Sequence, residues 1–318
     1  MSTQNAVLML VFNRADKAAR VLEAVRQARP PRLYVSADGP RTGVDGDKAK
    51  TDQVRALFSG IDWDCELKTR FLPENLGCRK AVSSGINWFF ENEEQGIILE
   101  DDTLPNLDFF WYCDSMLERF RTENRVLSVS GSNLVEPWLK LPDEVCFTKA
   151  WHVWGWATWR HAWLVYDESM KNWPEIRANL GKYPSFPTGA DRRYWKTVFD
   201  LVHANFISTW DHQWTLAHFI TGKLSIMPKH NLVVNTGFDA EATHTSGREP
   251  EYIRLQKAGR FNPQWNQEIS VVEFQEFYKM VSEHVLVPSL WTVLKLNVRR
   301  FRSIFPLLKK VVNFVRNR

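Results

Sequence analysis

The chain has 318 residues, 44% of them hydrophobic and 25% charged, which excludes a disordered polypeptide and leaves room for one large α/β domain or two small ones. The formal charge is +4, but the eight basic residues after Glu283 stand without a single acid among them, leaving 33 basic against 37 acidic residues, a net −4, over residues 1–283. A mildly acidic body argues against nucleic acid as a general partner, and four scattered cysteines (Cys65, Cys78, Cys113, Cys146) without a CxxC pair argue against a zinc site or disulfide framework.

In chain order, residues 6–12 are an apolar run that predicts a buried strand ended by Asn13 and Arg14. The run is too short for a signal-peptide core with its cleavage site, and no later stretch reaches the length of a bilayer span, so the expected location is cytoplasmic. Val21, Ala24, Val25 and Ala28 recur at helical spacing until Pro30-Pro31. Residues 32–37 predict a second strand with a turn at Asp38-Gly39-Pro40, residues 41–52 a polar connection, and residues 53–58 a helix. A third strand is expected over 65–71. Asn75-Leu76-Gly77 then turns into a helix reaching about Phe90, and residues 96–99 form a fourth strand that ends in Glu100-Asp101-Asp102. Alternation of strand and helix predicts a largely parallel sheet with helices on both faces.

The second half is less regular. Helices are expected over 107–120, 191–205 and 211–221, and strands over 125–130, 224–228 and 232–234. Trp151, Trp154, Trp156, Trp159 and Trp163 crowd one short segment, and residues 236–268 predict a mobile loop. From Trp291 the apolar positions 291, 294, 298, 301, 305, 308, 312 and 315 fall on one helical face amid basic residues, with Pro306 expected to kink it. Such a helix either lies on an anionic membrane or packs on protein. The expected organisation is a catalytic unit over 1–285, with a nucleotide-binding half (1–102) and an acceptor half (103–285), and a basic amphipathic tail over 286–318.

The predicted strands end in polar residues, and ligands of open α/β sheets bind at those ends. Neither GxGxxG nor GxxxxGK[ST] follows a strand. Three adjacent carboxylates repel one another unless a cation or donors offset them. Their hard oxygens suit Mg²⁺ or Mn²⁺, which in turn bridge phosphates. The alternative is an acidic turn without a ligand.

ILEDD followed by TLPNLDFFWY resembles the signature of N-acetylglucosaminyltransferase I and related GT-A glycosyltransferases, and Asn75-Leu76-Gly77 is similar to the Asn-x-Gly of family-2-type nucleotide-sugar transferases. The resemblance covers roughly residues 6–245 and is strong only at 75–112. It implies a GT-A fold and metal-assisted transfer from a nucleotide-sugar, a UDP-sugar by preference, to a glycan or lipid-linked acceptor in bacterial-type surface polysaccharide assembly. It also implies site roles. Asp102 would be the direct metal ligand. Glu100 and Asp101 would contact the ribose or donor sugar, Asp38 would reach the nucleobase, and Asn13 and Arg14 would flank the nucleotide, with Asn75 and Gly77 on the donor side. Asp211, in Trp210-Asp211-His212-Gln213-Trp214, would be the general base of an inverting displacement; it also stands where a helix N-cap is expected, and the two roles are compatible. His244 would complete the metal shell, ahead of His212 and His230. Trp154, Gly155 and Trp156 would line the acceptor, or else fill a core. Asp191 and Asp239 are the next candidates for a base. Two rivals remain: a nucleotidyltransferase, which usually carries an N-terminal Gly-rich loop that this chain lacks, and a lectin-like binder using the tryptophans.

Overall fold

The computed structural model describes residues 2–237 and 250–288, together with helical positions 293, 294 and 296. The first half runs β1 (Ala6–Val11), α1 (Ala15–Ala28), β2 (Arg32–Ala37), α2 (Asp47–Ala56), β3 (Glu66–Phe71), α3 (Gly77–Asn92) and β4 (Gln95–Glu100). β1 is buried at every position, as its unbroken apolar run requires. Arg29 closes α1 in the left-handed region (φ 46°) just before Pro30-Pro31. β1 pairs in parallel with β2 on one side and β4 on the other, and β2 pairs in parallel with β3.

The chain continues through β5 (Thr103–Pro105), α4 (Leu107–Arg119), β6 (Val126–Ser130), β7 (Val145–Thr148), β8 (Trp156–Trp159), α5 (Arg160–Trp163), α6 (Trp173–Ala178), α7 (Gly189–His203), α8 (Asp211–Thr221), β9 (Leu224–Pro228), β10 (Val233–Asn235), α9 (Glu251–Arg254) and α10 (Gln275–Val281). Asn106 caps α4 by accepting from the Phe109 amide at 3.1 Å, and Gly222 (φ 69°) ends α8.

One eight-stranded sheet, in the order β3-β2-β1-β4-β8-β6-β9-β7, joins the two halves. Its first four strands are mutually parallel, as alternation predicts. β8 breaks the pattern by inserting antiparallel between β4 and β6, and β7 runs antiparallel to β9 at the far edge. With right-handed crossovers, this strand order puts α1 and α2 on one face and α3 on the other. α1 packs with α4, while α3 covers β1 and β2 and packs with α5. Gly85 of α3 fits where an added Cβ would crowd Leu10 and Ser36. The fold class is therefore the expected α/β one. Among the described residues one apolar core runs through both halves.

Two differences have physical causes. The helix expected at 53–58 begins at Asp47, because Gly46 (φ 76°) turns the chain and Asp47 is fixed by the distant Asn13 and the nearby Arg41. The tryptophan-rich segment contains β8, which is buried at all four positions and so shows no polar alternation. Of the predicted loop over 236–268, residues 238–249 lie outside the described residues, and residues 250–268 carry α9 and turns. The amphipathic tail lies outside them beyond position 296. Among the described residues no helix is long and apolar enough to cross a membrane.

Candidate active site

Strand order reverses between β1 and β4: β2 and β3 extend from one side of β1, and β4 lies on the other. A crevice at such a switch point, beyond the carboxyl ends of the strands, is where open α/β sheets bind ligands. Here β1 delivers Phe12, Asn13 and Arg14, and β4 delivers Glu100, Asp101 and Asp102.

Arg14 lies between two of these acids. Its Nη1 donates to Asp102 Oδ2 at 2.9 Å, and its Nη2 makes a closer contact with Asp101 Oδ1. The Phe12 amide adds a bond to Asp101 Oδ2 at 3.4 Å. Burial opposes the charge on Arg14, but Asp101 and Asp102 outweigh it and raise its pKa. Burial likewise pushes Asp101 up, to about 6, against the pull of Arg14. Glu100 stands apart. No donor among the described residues meets its carboxylate, and burial, then Asp102, Asp101 and Asp211, raise its pKa well above the carboxylate range. The Thr103 hydroxyl pins only its backbone, bonding the amide and the carbonyl at 2.9 Å each.

The charge of Asp211 bears on Glu100, so the start of α8 lies near the end of β4. Asp211 is the first residue of α8, and its charge also reaches Cys78, which is surrounded by Glu100, Asp211, Asp38 and Asp102 and whose thiol is raised chiefly by burial. The N-cap position belongs to Trp210, with no side-chain cap, so the capping role expected for Asp211 is not met. The Thr209 hydroxyl instead donates to Asp211 Oδ1, and His212 Nδ1 lies 3.6 Å from Oδ2.

Asp38, Asn75 and Gly77 meet in one network. Asp38 accepts from the Gly39, Leu76 and Gly77 amides at 2.8, 2.9 and 3.1 Å and from Asn75 Nδ2 at 2.8 Å. Its carboxylate thus fixes the start of α3 and faces the backbone. Asn13 donates to Asp47 Oδ1 at 2.7 Å, and Arg41, whose guanidinium lies 5.3 Å from the Phe12 ring centroid, forks onto the same carboxylate. Bonding to Arg41 outweighs burial and holds Asp47 well below the usual range. Asp47 was not legible as a site residue, because the polar run around it gives no sign that its partner lies 34 positions upstream.

The predicted acceptor segment divides. Trp156 is fully buried against Trp151, Trp163, Trp210 and Trp214 and has no face open to a sugar, which corrects the expectation for that residue. Gly155 (φ 64°) is required where an added Cβ would meet Val233 at 2.7 Å, so its neighbour is β10. Trp154 is half-buried and stacks on Tyr252 with ring centroids 6.3 Å apart. His230 pairs with Glu136 at 2.6 Å, and Asp191 accepts from the Ser282 hydroxyl at 2.6 Å.

His244 and Asp239 lie outside the described residues. The chain enters that segment beside Asp102: the Thr236 amide donates to the Asp102 carbonyl at 2.8 Å, and a Cβ on Gly237 would run into Asp102 Oδ2. Among the described residues no three His, Cys, Asp or Glu side chains converge as a metal cage. The hard oxygens of Asp102 and the donor-free Glu100 do fit the other common arrangement for Mg²⁺, in which one or two carboxylates act together with substrate phosphates and water. Two open cavities, of about 300 and 500 Å³, lie beside Arg29 and Asp62 at the opposite, amino-terminal end of the strands and hold none of these groups.

No family model matches the chain, and no curated protein does. Among solved structures it is similar to HddC from Yersinia pseudotuberculosis complexed with GMP-PN (15% identity, 36% of this chain and 55% of that one, TM-score 0.26). It is also similar to an apo UDP-glucose pyrophosphorylase (9%, 70% and 90%, TM-score 0.33) and to mouse xyloside xylosyltransferase 1 in its apo form (10%, 69% and 81%, TM-score 0.35). The chain spans only about half of the HddC chain. Similarities this loose assign no activity, and none of them singles out N-acetylglucosaminyltransferase I.

Proposed function

We propose that the protein is an inverting glycosyltransferase that moves a sugar from a UDP-sugar to a hydroxyl of a glycan or lipid-linked acceptor, as in surface polysaccharide assembly. The observation that supports this reading is the nearness of Asp211, the first residue of α8, to the acidic end of β4, close enough for its charge to raise Glu100. Asn13, Arg14 and the loop fixed by Asp38, Asn75 and Gly77 would receive the nucleotide, and Glu100 and Asp101 would contact the ribose or donor sugar. Asp211 would accept the acceptor hydroxyl proton as that oxygen attacks the anomeric carbon and the bond to the diphosphate breaks on the opposite face, which inverts the centre. Asp102, with His244, would hold Mn²⁺ or Mg²⁺, which when bound offsets charge on the departing diphosphate. Trp154 would border the acceptor. The basic tail over 286–318 would dock the enzyme on an anionic membrane, where a lipid-linked acceptor resides.

The test is a panel of UDP-sugars with Mn²⁺, read by thermal stabilisation and by UDP release. A donor at a hundredfold excess over its Kd should stabilise the protein by about 2.7 kcal/mol and be turned over. Formation of UTP from a UDP-sugar and pyrophosphate would favour the nucleotidyltransferase reading. Stabilisation by free glycans, with no response to nucleotides, would favour a binder.

A further inference from the structure

The base-bearing helix α8 follows an exposed connection, and one side chain from the donor half gathers it. From the last residue of α7 onward, positions 203–206 are all exposed, and Asn205 sits in the left-handed region (φ 60°). Arg79, two residues into α3, reaches across to this connection. Its Nε donates to the Thr209 carbonyl at 3.1 Å and its Nη1 to Asn205 Oδ1 at 2.7 Å, while Nη2 donates to the Val202 and Ile207 carbonyls at 3.0 and 2.5 Å. The Thr209 carbonyl also accepts from Gln213 Nε2 at 2.8 Å, and the Trp210 carbonyl accepts from the Tyr166 hydroxyl at 3.1 Å. Thr209 then uses its own hydroxyl to hold Asp211 Oδ1. A planar guanidinium with several donors is the one side chain that can satisfy acceptors spread over eight residues at once.

We propose that Arg79 is a positioning residue for Asp211, acting through Thr209 to hold the carboxylate toward the acidic end of β4. The proposal rests on the reading of Asp211 as a base. Its physical content is separate: removing the guanidinium takes the donor from the Ile207 carbonyl and one of two donors from the Val202 and Thr209 carbonyls, which loosens the connection into α8, while the donor-side network of Asp38 stays intact. Because α3 also begins at Asn75-Leu76-Gly77, the same helix ties the nucleotide loop to the base, and a displacement of about 1 Å at the reacting group is enough to cost roughly a hundredfold in rate.

The experiment uses the full chain with UDP-glucose and UDP-N-acetylglucosamine as probes, Mn²⁺ present and water as acceptor. Arg79→Gln should lower kcat for UDP release by about 10–100-fold with KM little changed. Arg79→Lys, which keeps the charge but not the fork, should fall between it and the wild type, and Thr209→Ser should retain more activity than Thr209→Val. In an Asp211→Asn background Arg79→Gln should cost nothing further, because both act on one group. A merely structural role would lower the rate equally in both backgrounds or raise KM, and either result overturns the proposal. Amide hydrogen exchange supplies a readout without turnover: exchange should quicken over 202–211 in Arg79→Gln and stay unchanged in β1, β2 and β4. Unchanged exchange over 202–211 also overturns the proposal. If exchange quickens there but the wild type turns over neither probe, the tie between Arg79 and the Asp211 segment stands, and the failure falls on the assignment of transfer from these donors.

Discussion

Two sets of acids border the same crevice and are treated in opposite ways. Asp38 and Asp47 are saturated: amides and Asn75 surround the first, and Arg41 and Asn13 hold the second. Glu100 meets no donor among the described residues, and burial together with Asp102, Asp101 and Asp211 disfavours its charge. A carboxylate saturated by its own backbone builds the loop that carries it. A half-buried carboxylate without a donor beside other acids costs stability unless something outside the chain offsets it, which marks a candidate functional position. Arg14 lies at the border between the sets, already engaged with Asp101 and Asp102 yet on the strand end that faces the crevice.

The comparison is broken most forcefully at Asp211. Asp211→Asn should lower transfer by about 10²–10⁴-fold while the fold persists, since the α8 N-cap is Trp210 and Asn supplies a similar shape. Retention of the wild-type rate would reduce Asp211 to a first-turn acid favourable to the helix.

At Asp38 the expected loss is of stability. Asp38→Ala leaves the Gly39, Leu76 and Gly77 amides without their acceptor, and thermal or urea unfolding should show a loss of about 2–4 kcal/mol. A change within about 0.5 kcal/mol would mean that Asp38 is held in readiness for a ligand and does not support α3.

The smallest effect is expected at Asp47, and it depends on pH. The folded pKa of Asp47 is depressed, so its contribution is present above the ordinary Asp value of about 3.9 and is lost as pH falls through that value toward the folded one. Wild type should therefore exceed Asp47→Asn in stability most clearly near neutrality, and the gap should close in acid. A gap that widens on acidification would reverse the sign of this account.

How much of this was legible in the sequence follows from the range of the interactions. β1, β2, β3, α3 and β4 could be read almost to the residue because each carries its own apolar run or period and ends at a local turn or polar residue. β8 could not, since its strand character comes from β4 and β6 on either side. The carboxylate triplet, Asn13, Arg14 and Asp211 announce themselves as polar residues after apolar runs or among aromatics. Their relation does not: Asp211 lies more than a hundred positions from Glu100, and only the sheet order brings them together. Arg79 and Thr209 were invisible for the same reason, their bond spanning 130 positions. Trp156 misled because an aromatic side chain reads the same in a sugar site and in a core, and burial alone distinguishes them.

The central claim is that the acidic end of β4 serves the donor and Asp211 serves the acceptor. Calorimetric titration of UDP with Mn²⁺ into the wild type, Asp102→Asn and Asp211→Asn tests it most directly. The account predicts equal affinity for the wild type and Asp211→Asn, and binding at least about tenfold weaker, or 1.4 kcal/mol, for Asp102→Asn. Wild-type affinity in Asp102→Asn, or loss of binding in Asp211→Asn, would contradict it.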